Sequence, residues 1–224
     1  MMDDLTLASD ALRQNLDELE TINTWLGGYS PITGGLAYLC AGWPADRALR
    51  LADIGCGGGD TLRVIAAWAR RRGLAVQLTG IDANEFMVDY ARQKCAPWPE
   101  IDFQQVDIFA DSFRQQSFDI ITASLFCHHF SDEDLTVLVA QLAQQAHLGV
   151  VINDLHRHSL AYYSIKWLTR LLGGSYLVRH DAPLSVARAF RRTDLRTICA
   201  RAGVVIRRLR WRWAFRWELV VRRA

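Results

Sequence analysis

The sequence predicts an α/β protein with a mostly parallel sheet and helices on both of its faces, on three observations. Apolar stretches of strand length alternate with amphipathic helical ones through residues 50–153, the pattern of parallel strands joined by crossover helices. A glycine cluster, Gly55-Cys56-Gly57-Gly58-Gly59-Asp60, falls where the first of those strands ends and a helix begins. Residues 204–221 alternate with period two, which marks strands with one wet face.

Taken in order, residues 3–26 read as an amphipathic helix whose stripe is Leu12, Leu16, Leu19 and Leu26. Asn23 replaces an apolar residue on that seam. It marks either a fraying helix end before Gly27-Gly28 or a polar group aimed into a substrate cavity. Residues 34–39 start a second short helix. The first strand, Arg50-Leu51-Ala52-Asp53-Ile54, runs into the glycines, which let the backbone turn sharply and approach a ligand that a side chain would exclude. The next helix buries Leu62, Ile65, Ala66 and Ala69 and closes on Arg70-Arg71-Arg72, cations at the negative helix end. The second strand, residues 77–82, ends in Asp82, 25 residues after Gly57. A helix over residues 86–95 stops before Pro97 and Pro99. The third strand is expected over residues 103–109 with Asp107 on it, and the fourth over residues 120–126. Ser131 opens a helix with a Ser-x-x-acid start and an inner stripe of Leu135, Leu138, Val139 and Leu142. The fifth strand is residues 149–153.

Residues 154–189 exceed what a strand-to-helix connection needs. They hold an aromatic helix, Leu160-Ala161-Tyr162-Tyr163-Ser164-Ile165-Lys166-Trp167-Leu168, ended by Gly173-Gly174. Apolar around most of its circumference, it must be buried, face a ligand or touch lipid. A helix over residues 193–202 stops at Gly203. In the C-terminal strands Trp211, Trp213 and Trp217 interleave with Arg208, Arg210, Arg212 and Arg216. Arg beside Trp suits stacking on nucleic acid, but charge that blocks edge pairing of an outer strand is the simpler account.

At 224 residues the chain is expected to form a helical N-terminal cap, residues 1–45, over one main domain, residues 46–224, with a helical insertion at about 156–190. Half of it is hydrophobic and 22% charged, and a net charge of +2 gives no general field to recruit nucleic acid. Cys40, Cys56, Cys95, Cys127 and Cys199 form no C-x-x-C pair, which predicts reduced thiols in the cytoplasm. No apolar run approaches the roughly 20 residues needed to span a bilayer, so any membrane contact is expected to be weak and at the surface. An oligomer stays open.

Two cofactor classes compete for the glycine loop. A dinucleotide fingerprint ends in a small residue, whereas its sixth position here is Asp60, an acid that repels a pyrophosphate. The pattern D-x-G-x-G-x-G of Asp53, Gly55, Gly57 and Gly59 instead resembles motif I of the class I S-adenosylmethionine-dependent methyltransferases. Gly80-Ile81-Asp82-Ala83-Asn84-Glu85-Phe86-Met87, Asp107 and Ser117-Phe118-Asp119 follow in the family's order. The resemblance implies a Rossmann-like class I methyltransferase fold: a seven-stranded, mostly parallel sheet with an antiparallel C-terminal strand pair. It implies S-adenosylmethionine as cofactor and S-adenosylhomocysteine as product. Asp82 would accept from the ribose hydroxyls, Ala83 and Met87 line the adenine, and Asp107, with Ile108 beside it, take the adenine amine. Asp53, Gly55, Cys56, Gly57, Gly59 and Ser124 complete the cofactor set. An NAD-dependent oxidoreductase and a catalytically silent methyltransferase-fold binding subunit are the alternatives.

Candidate chemistry gathers at the strand C-terminal ends, where ligands bind in open α/β sheets. A phenol needs a base to become a good nucleophile. His129 is the expected base, with Asp154 and His156 orienting it or holding the substrate hydroxyl. Asn23, Tyr29, His128, Tyr163, Trp167 and His180 are the expected substrate contacts. The His and Asp spacing matches no metal site, and none is expected. Ser124-Leu125-Phe126-Cys127-His128-His129-Phe130, Asn153-Asp154-Leu155-His156-Arg157 and His180-Asp181-Ala182-Pro183 resemble small bacterial methyltransferases that accompany type III polyketide synthases and aryl-pigment pathways, relatives of quinone-biosynthesis methyltransferases. That implies O-methylation of a small phenolic, quinol or alkyl-aryl substrate.

Overall fold

Strand β1 (Leu49–Ile54) is buried along almost its whole length, as a strand covered on both faces must be. Leu49 and Leu51 enter one core, and Ala52 and Ile54 the other, because successive side chains point to opposite faces. The computed structural model describes residues 10–44, 46–171 and 175–224. From β1 the chain alternates through α3 (Asp60–Arg70), β2 (Val76–Asp82), α4 (Glu85–Cys95), β3 (Ile101–Gln105), α5 (Asp111–Arg114), β4 (Phe118–Ser124), α6 (Asp132–Gln145) and β5 (Ala146–Leu155). Before β1 lie α1 (Asp10–Trp25) and α2 (Ser30–Leu39). After β5 come α7 (Ser159–Leu171), α8 (Tyr176–Arg188), α9 (Arg192–Arg201), β6 (Val204–Arg212) and β7 (Arg216–Arg223).

The seven strands form one sheet in the order β3-β2-β1-β4-β5-β7-β6. Strands β1 to β5 pair in parallel, and β7 pairs antiparallel with both β5 and β6. The order reverses between β1 and β4, which opens a crevice beyond their C-terminal ends. Asn84 caps α4 by accepting from Phe86 N at 2.9 Å, and Ser131 caps α6 by accepting from Asp134 N at 3.1 Å. Helix α2 adds Ile32 and Leu36 to the core on one face, so of the described N-terminal helices α1 is the one left over the crevice.

Several boundaries depart from the sequence reading. Strand β3 stops at Gln105, and Asp107 lies in a turn, its Oδ1 accepting from Phe109 N at 2.9 Å. Strand β4 stops at Ser124 because Leu125 adopts φ +54° and a single 3₁₀ turn, Cys127–His129, follows. Strand β5 is longer at both ends, its C-terminal half paired along β7. The insertion contains a second helix, α8, that continues through Pro183. Its apolar residues lack a helical period, so only the proline was conspicuous. Strand β7 is not half wet. It lies between β5 and β6, and Arg216, Trp217 and Glu218 are all buried. The exposed edge is β6, where Trp211 is exposed. Residues 3–9 of the expected first helix and Gly173-Gly174 fall outside the described residues.

Candidate active site

Three glycines of the loop after β1 adopt positive φ: +63° at Gly55, +49° at Gly57 and +72° at Gly59. Their surroundings separate their roles. A Cβ on Gly55 would stand 2.1 Å from the Phe126 ring, and one on Gly59 would stand 2.8 Å from Cys95 Sγ. Those two are filled by protein. At Gly57 the nearest atom is Leu16 Cδ2 at 3.6 Å, which leaves this backbone open to a ligand. Gly57 N donates to Asp82 Oδ2 at 3.1 Å, and Asn84 N donates to Asp82 Oδ1 at 3.0 Å. Burial raises the Asp82 carboxyl above its ordinary range, partly offset by these bonds.

A cavity of about 100 Å³ opens at Gly57, lined also by Glu20, Cys56, Asp60 and Ser124. Tyr29 OH donates to Asp60 Oδ2 at 2.6 Å. Burial lifts Asp60 above the usual carboxylate range, and the Tyr29 bond opposes that shift. Burial and the neighbouring Asp60 carboxylate raise the Tyr29 phenol. A crevice with Glu20, Asp60 and Asp82 around it favours a cationic ligand and disfavours a pyrophosphate. Tyr29 is therefore tied to the cofactor side.

The other expected cofactor residues sit unequally. Asp53 is buried, accepts from Thr122 Oγ1 at 2.6 Å and lines neither cavity. Val106 N donates to Asp82 O at 3.0 Å, which brings the exposed Asp107 next to the end of β2. Met87 and Ile108 are buried, and the Ala83 carbonyl accepts from Gln105 Nε2 at 3.5 Å.

Beside this crevice lies a larger cavity, about 350 Å³ and mostly apolar, above the ends of β4 and β5. Its roof is Leu19 and Ile22 of α1, Ile165 and Leu168 of α7, and Val178 and Ala182 of α8. Leu19, Asn23 and Leu125 line both cavities. They form the wall across which a group can pass from one ligand to the other. The left-handed Leu125 on this wall is held by its N–H to Asn153 O at 2.8 Å.

His128 and His129 both line this cavity, and His128 is the buried one. Its Nδ1 lies 2.8 Å from Asp154 Oδ1 and its backbone N donates to Asp154 Oδ2 at 3.2 Å. Asp154 is fully buried. Burial alone would raise its carboxyl, but the His128 ring and the N–H groups of Leu155 and His128 hold it below the ordinary value. An ionised carboxylate only accepts, so the His128 Nδ1–H donates to Asp154. Among the described residues His128 Nε2 has no partner. His129 reaches the same cavity but is largely exposed, its ring 4.3 Å from that of His128.

Other expectations are not met in place. His156 does not line the cavity; its ring packs 5.0 Å from Trp217, and burial with nearby His158 and Arg191 lowers its pKa. His180 is exposed and lies 2.9 Å from Asp181 Oδ1. Tyr163 and Trp167 are also exposed, since α7 turns Ala161, Ile165 and Leu168 to the cavity instead. Asn23 does reach the cavity, its Oδ1 accepting from Arg216 Nη2 at 2.7 Å. Sequence reasoning missed Asn15 and Arg216, both buried on the cavity wall. Asn15 could have been found as a polar residue three positions after Leu12. Arg216 was hidden in the Arg-Trp alternation. No group of three or more His, Cys, Asp or Glu among the described residues is arranged to hold a metal, and no helix there is long and apolar enough to cross a membrane.

Residues 51–149, from β1 into β5, match the methyltransferase domain family. That stretch is a methyltransferase domain. S-adenosylmethionine is its cofactor, and the open Gly57 backbone and the acidic crevice fit that cation. The methyltransferase is similar in fold to the plantazolicin methyltransferase BpumL in complex with S-adenosylhomocysteine, at 15% identity over 96% of this chain and 92% of that one, with a TM-score of 0.67. Magnesium protoporphyrin IX methyltransferase from Synechocystis PCC 6803, with S-adenosylhomocysteine bound, is 20% identical over 88% and 84% of the two chains, with a TM-score of 0.58. An O-methyltransferase family protein from Burkholderia thailandensis is 13% identical over 80% and 52%, with a TM-score of 0.58. A search of curated proteins finds no match.

Proposed function

We propose that this methyltransferase methylates a hydroxyl oxygen on a small aromatic substrate, phenolic, quinol or alkyl-aryl, with His128 as the base. The observation that carries the reading is the His128–Asp154 pair on the wall of a largely apolar cavity, with Nε2 unpartnered. S-adenosylmethionine supplies an activated methyl on a sulfonium, which leaves the protein to align the acceptor and exclude water. Gly57, Asp60 and Asp82 hold the cofactor, with Asp107 and Met87 toward the adenine. The apolar walls suit an aryl or alkyl-aryl body. Asp154 keeps the Nδ1 proton in place, so Nε2 accepts the hydroxyl proton as the oxygen becomes nucleophilic.

This division of labour favours oxygen over carbon or an amine, because a buried imidazole held by a carboxylate is of most use where the acceptor must lose a proton. The resemblance to methyltransferases of polyketide and quinone pathways points the same way. Incubation of the purified protein with S-adenosylmethionine and a panel of phenols and quinols, read by mass spectrometry with the methyl located by fragmentation, tests the reading. O-methylated product from an apolar phenol is expected. Methyl transfer confined to carbon or nitrogen would reject the role given to His128.

A further inference from the structure

Among the charged side chains of the larger cavity, Arg216 is buried and nothing in the catalytic scheme explains its burial. It begins β7, directly opposite Leu155 at the end of β5, and is 4% exposed. A guanidinium is weakly hydrated for a cation but still almost never buried without an anion. The neighbouring arginines obey that rule, since Arg208 and Arg212 both pair with the fully buried Glu218. Among the described residues no carboxylate pairs with Arg216. Its Nη2 donates to the neutral Asn23 Oδ1 at 2.7 Å, while Nε and Nη1 are buried without a partner among the described residues. Burial pulls its pKa down to about 10, against the field of Asp154 and Asp60, so it stays charged at neutral pH. Leaving buried charged donors unpaired is costly, and a cavity lies against this one.

We propose that Arg216 is the anchor for a carboxylate on the substrate, so that the substrate is an apolar aryl acid carrying both a carboxylate and the hydroxyl to be methylated. This rests on the aryl-hydroxyl reading above and adds to it. The carboxylate is the anchor rather than the acceptor. A carboxylate has no proton for His128 to take, and pairing with a guanidinium lowers its nucleophilicity. A phosphate monoester fits less well, because Arg216 is the one buried cation of the described lining, Arg188 being exposed, and the nearby Asp154, Asp181 and Asp60 oppose a second negative charge. Asn23 keeps Nη2 turned toward the shared wall of the two cavities, which sets the anchor near the transfer point.

A matched pair of probes tests the inference: 6-pentylsalicylate and 3-pentylphenol, which differ by the carboxylate, titrated calorimetrically into the full chain with S-adenosylhomocysteine present. Wild type should bind the acid at least about ten-fold more tightly than the phenol, the scale of a buried charge-assisted pair. In Arg216→Met that preference should collapse, and Arg216→Lys should restore part of it. Circular dichroism and S-adenosylhomocysteine affinity check that each variant is folded. Should Arg216→Met lose its fold, Arg216→Lys carries the test, because a smaller preference with intact cofactor binding is still expected. Equal affinity of the two probes for wild type overturns the anchor, and methylation of the phenol alone would then leave the aryl-hydroxyl reading standing. If neither probe binds or is methylated while S-adenosylhomocysteine still binds, that reading falls and takes the anchor with it. Recovery of the salicylate as its methyl ester also overturns the proposal, because the carboxylate would then be the acceptor.

Discussion

The ring of His128 is locked by Asp154 at 2.8 Å and by its own backbone N–H to the same carboxylate, whereas the adjacent His129 is largely exposed. Alone, the pair His-His does not distinguish them; the 3₁₀ turn after Leu125 does, by directing one ring inward. Replacing His128 with Gln is expected to cut turnover of a phenol by about 10²–10⁴-fold, the usual worth of a positioned base. S-adenosylhomocysteine affinity should hardly move, and the loss should shrink at higher pH as the phenol ionises unaided. His129→Gln should lose far less, and equal losses would deny His128 its special role. Asp53 makes a different prediction. Burial raises its pKa to about 8 from 3.8, against the Thr122 bond and with help from Asp60 and Asp82. The native state therefore holds this proton more tightly than the unfolded chain, and the stability so gained is lost as pH rises from about 4 through 8. Asp53→Asn, measured by thermal unfolding without cofactor, should flatten the decline between pH 5 and pH 8; an unchanged slope would place the titration elsewhere.

Among the elements, the glycine loop shows how one motif serves two purposes. Gly55 and Gly59 give space to Phe126, Cys95 and Phe103, and Gly57 leaves its backbone open to a ligand. Gly55→Ala should therefore lower the denaturant midpoint sharply, because the φ of +63° is strained for alanine and its Cβ meets a ring at 2.1 Å. Gly57→Ala should cost only about 1–2 kcal/mol of backbone strain and show mainly as weaker S-adenosylhomocysteine binding. Equal losses of stability would mean that Gly57 is also a packing residue. The existence and order of β1 to β5 were legible because each strand is a short apolar run and each helix an amphipathic one. Asp82 was legible as the acid that ends β2, whereas Asp107, read within the third strand, lies two residues beyond its end. Side-chain direction on α7 was not, since a helix apolar on most sides leaves open which aromatic faces in; Tyr163 and Trp167 face out. Nor was the burial of β7, whose arginines pattern like those of an edge strand while it lies between β5 and β6.

In the whole molecule, helix α1 is a wall of both cavities, giving Leu16 and Glu20 to the cofactor side, Ile22 to the substrate side and Leu19 and Asn23 to each. Its ties to the body are mostly polar: Glu20 to Arg63 at 2.5 Å, Asp17 to Tyr90 at 2.7 Å and Lys94 at 2.8 Å, and Glu18 to the Ser175 N–H at 2.8 Å. Ion pairs with such exposure are worth little individually, so α1 belongs to the less stable part of the fold. A ligand that completes its inner face should order it. S-adenosylhomocysteine at 100 times its Kd contributes about 2.7 kcal/mol to the native state, which corresponds to roughly 100-fold slower exchange wherever opening requires release of the ligand. Amide hydrogen exchange should then slow by about that factor in α1 as well as in the glycine loop, and NADH at the same concentration should change neither. If protection stops at the glycine loop, α1 opens without releasing the cofactor. It would then act as a door for the aryl substrate alone, and substrate affinity should be indifferent to whether the cofactor is bound.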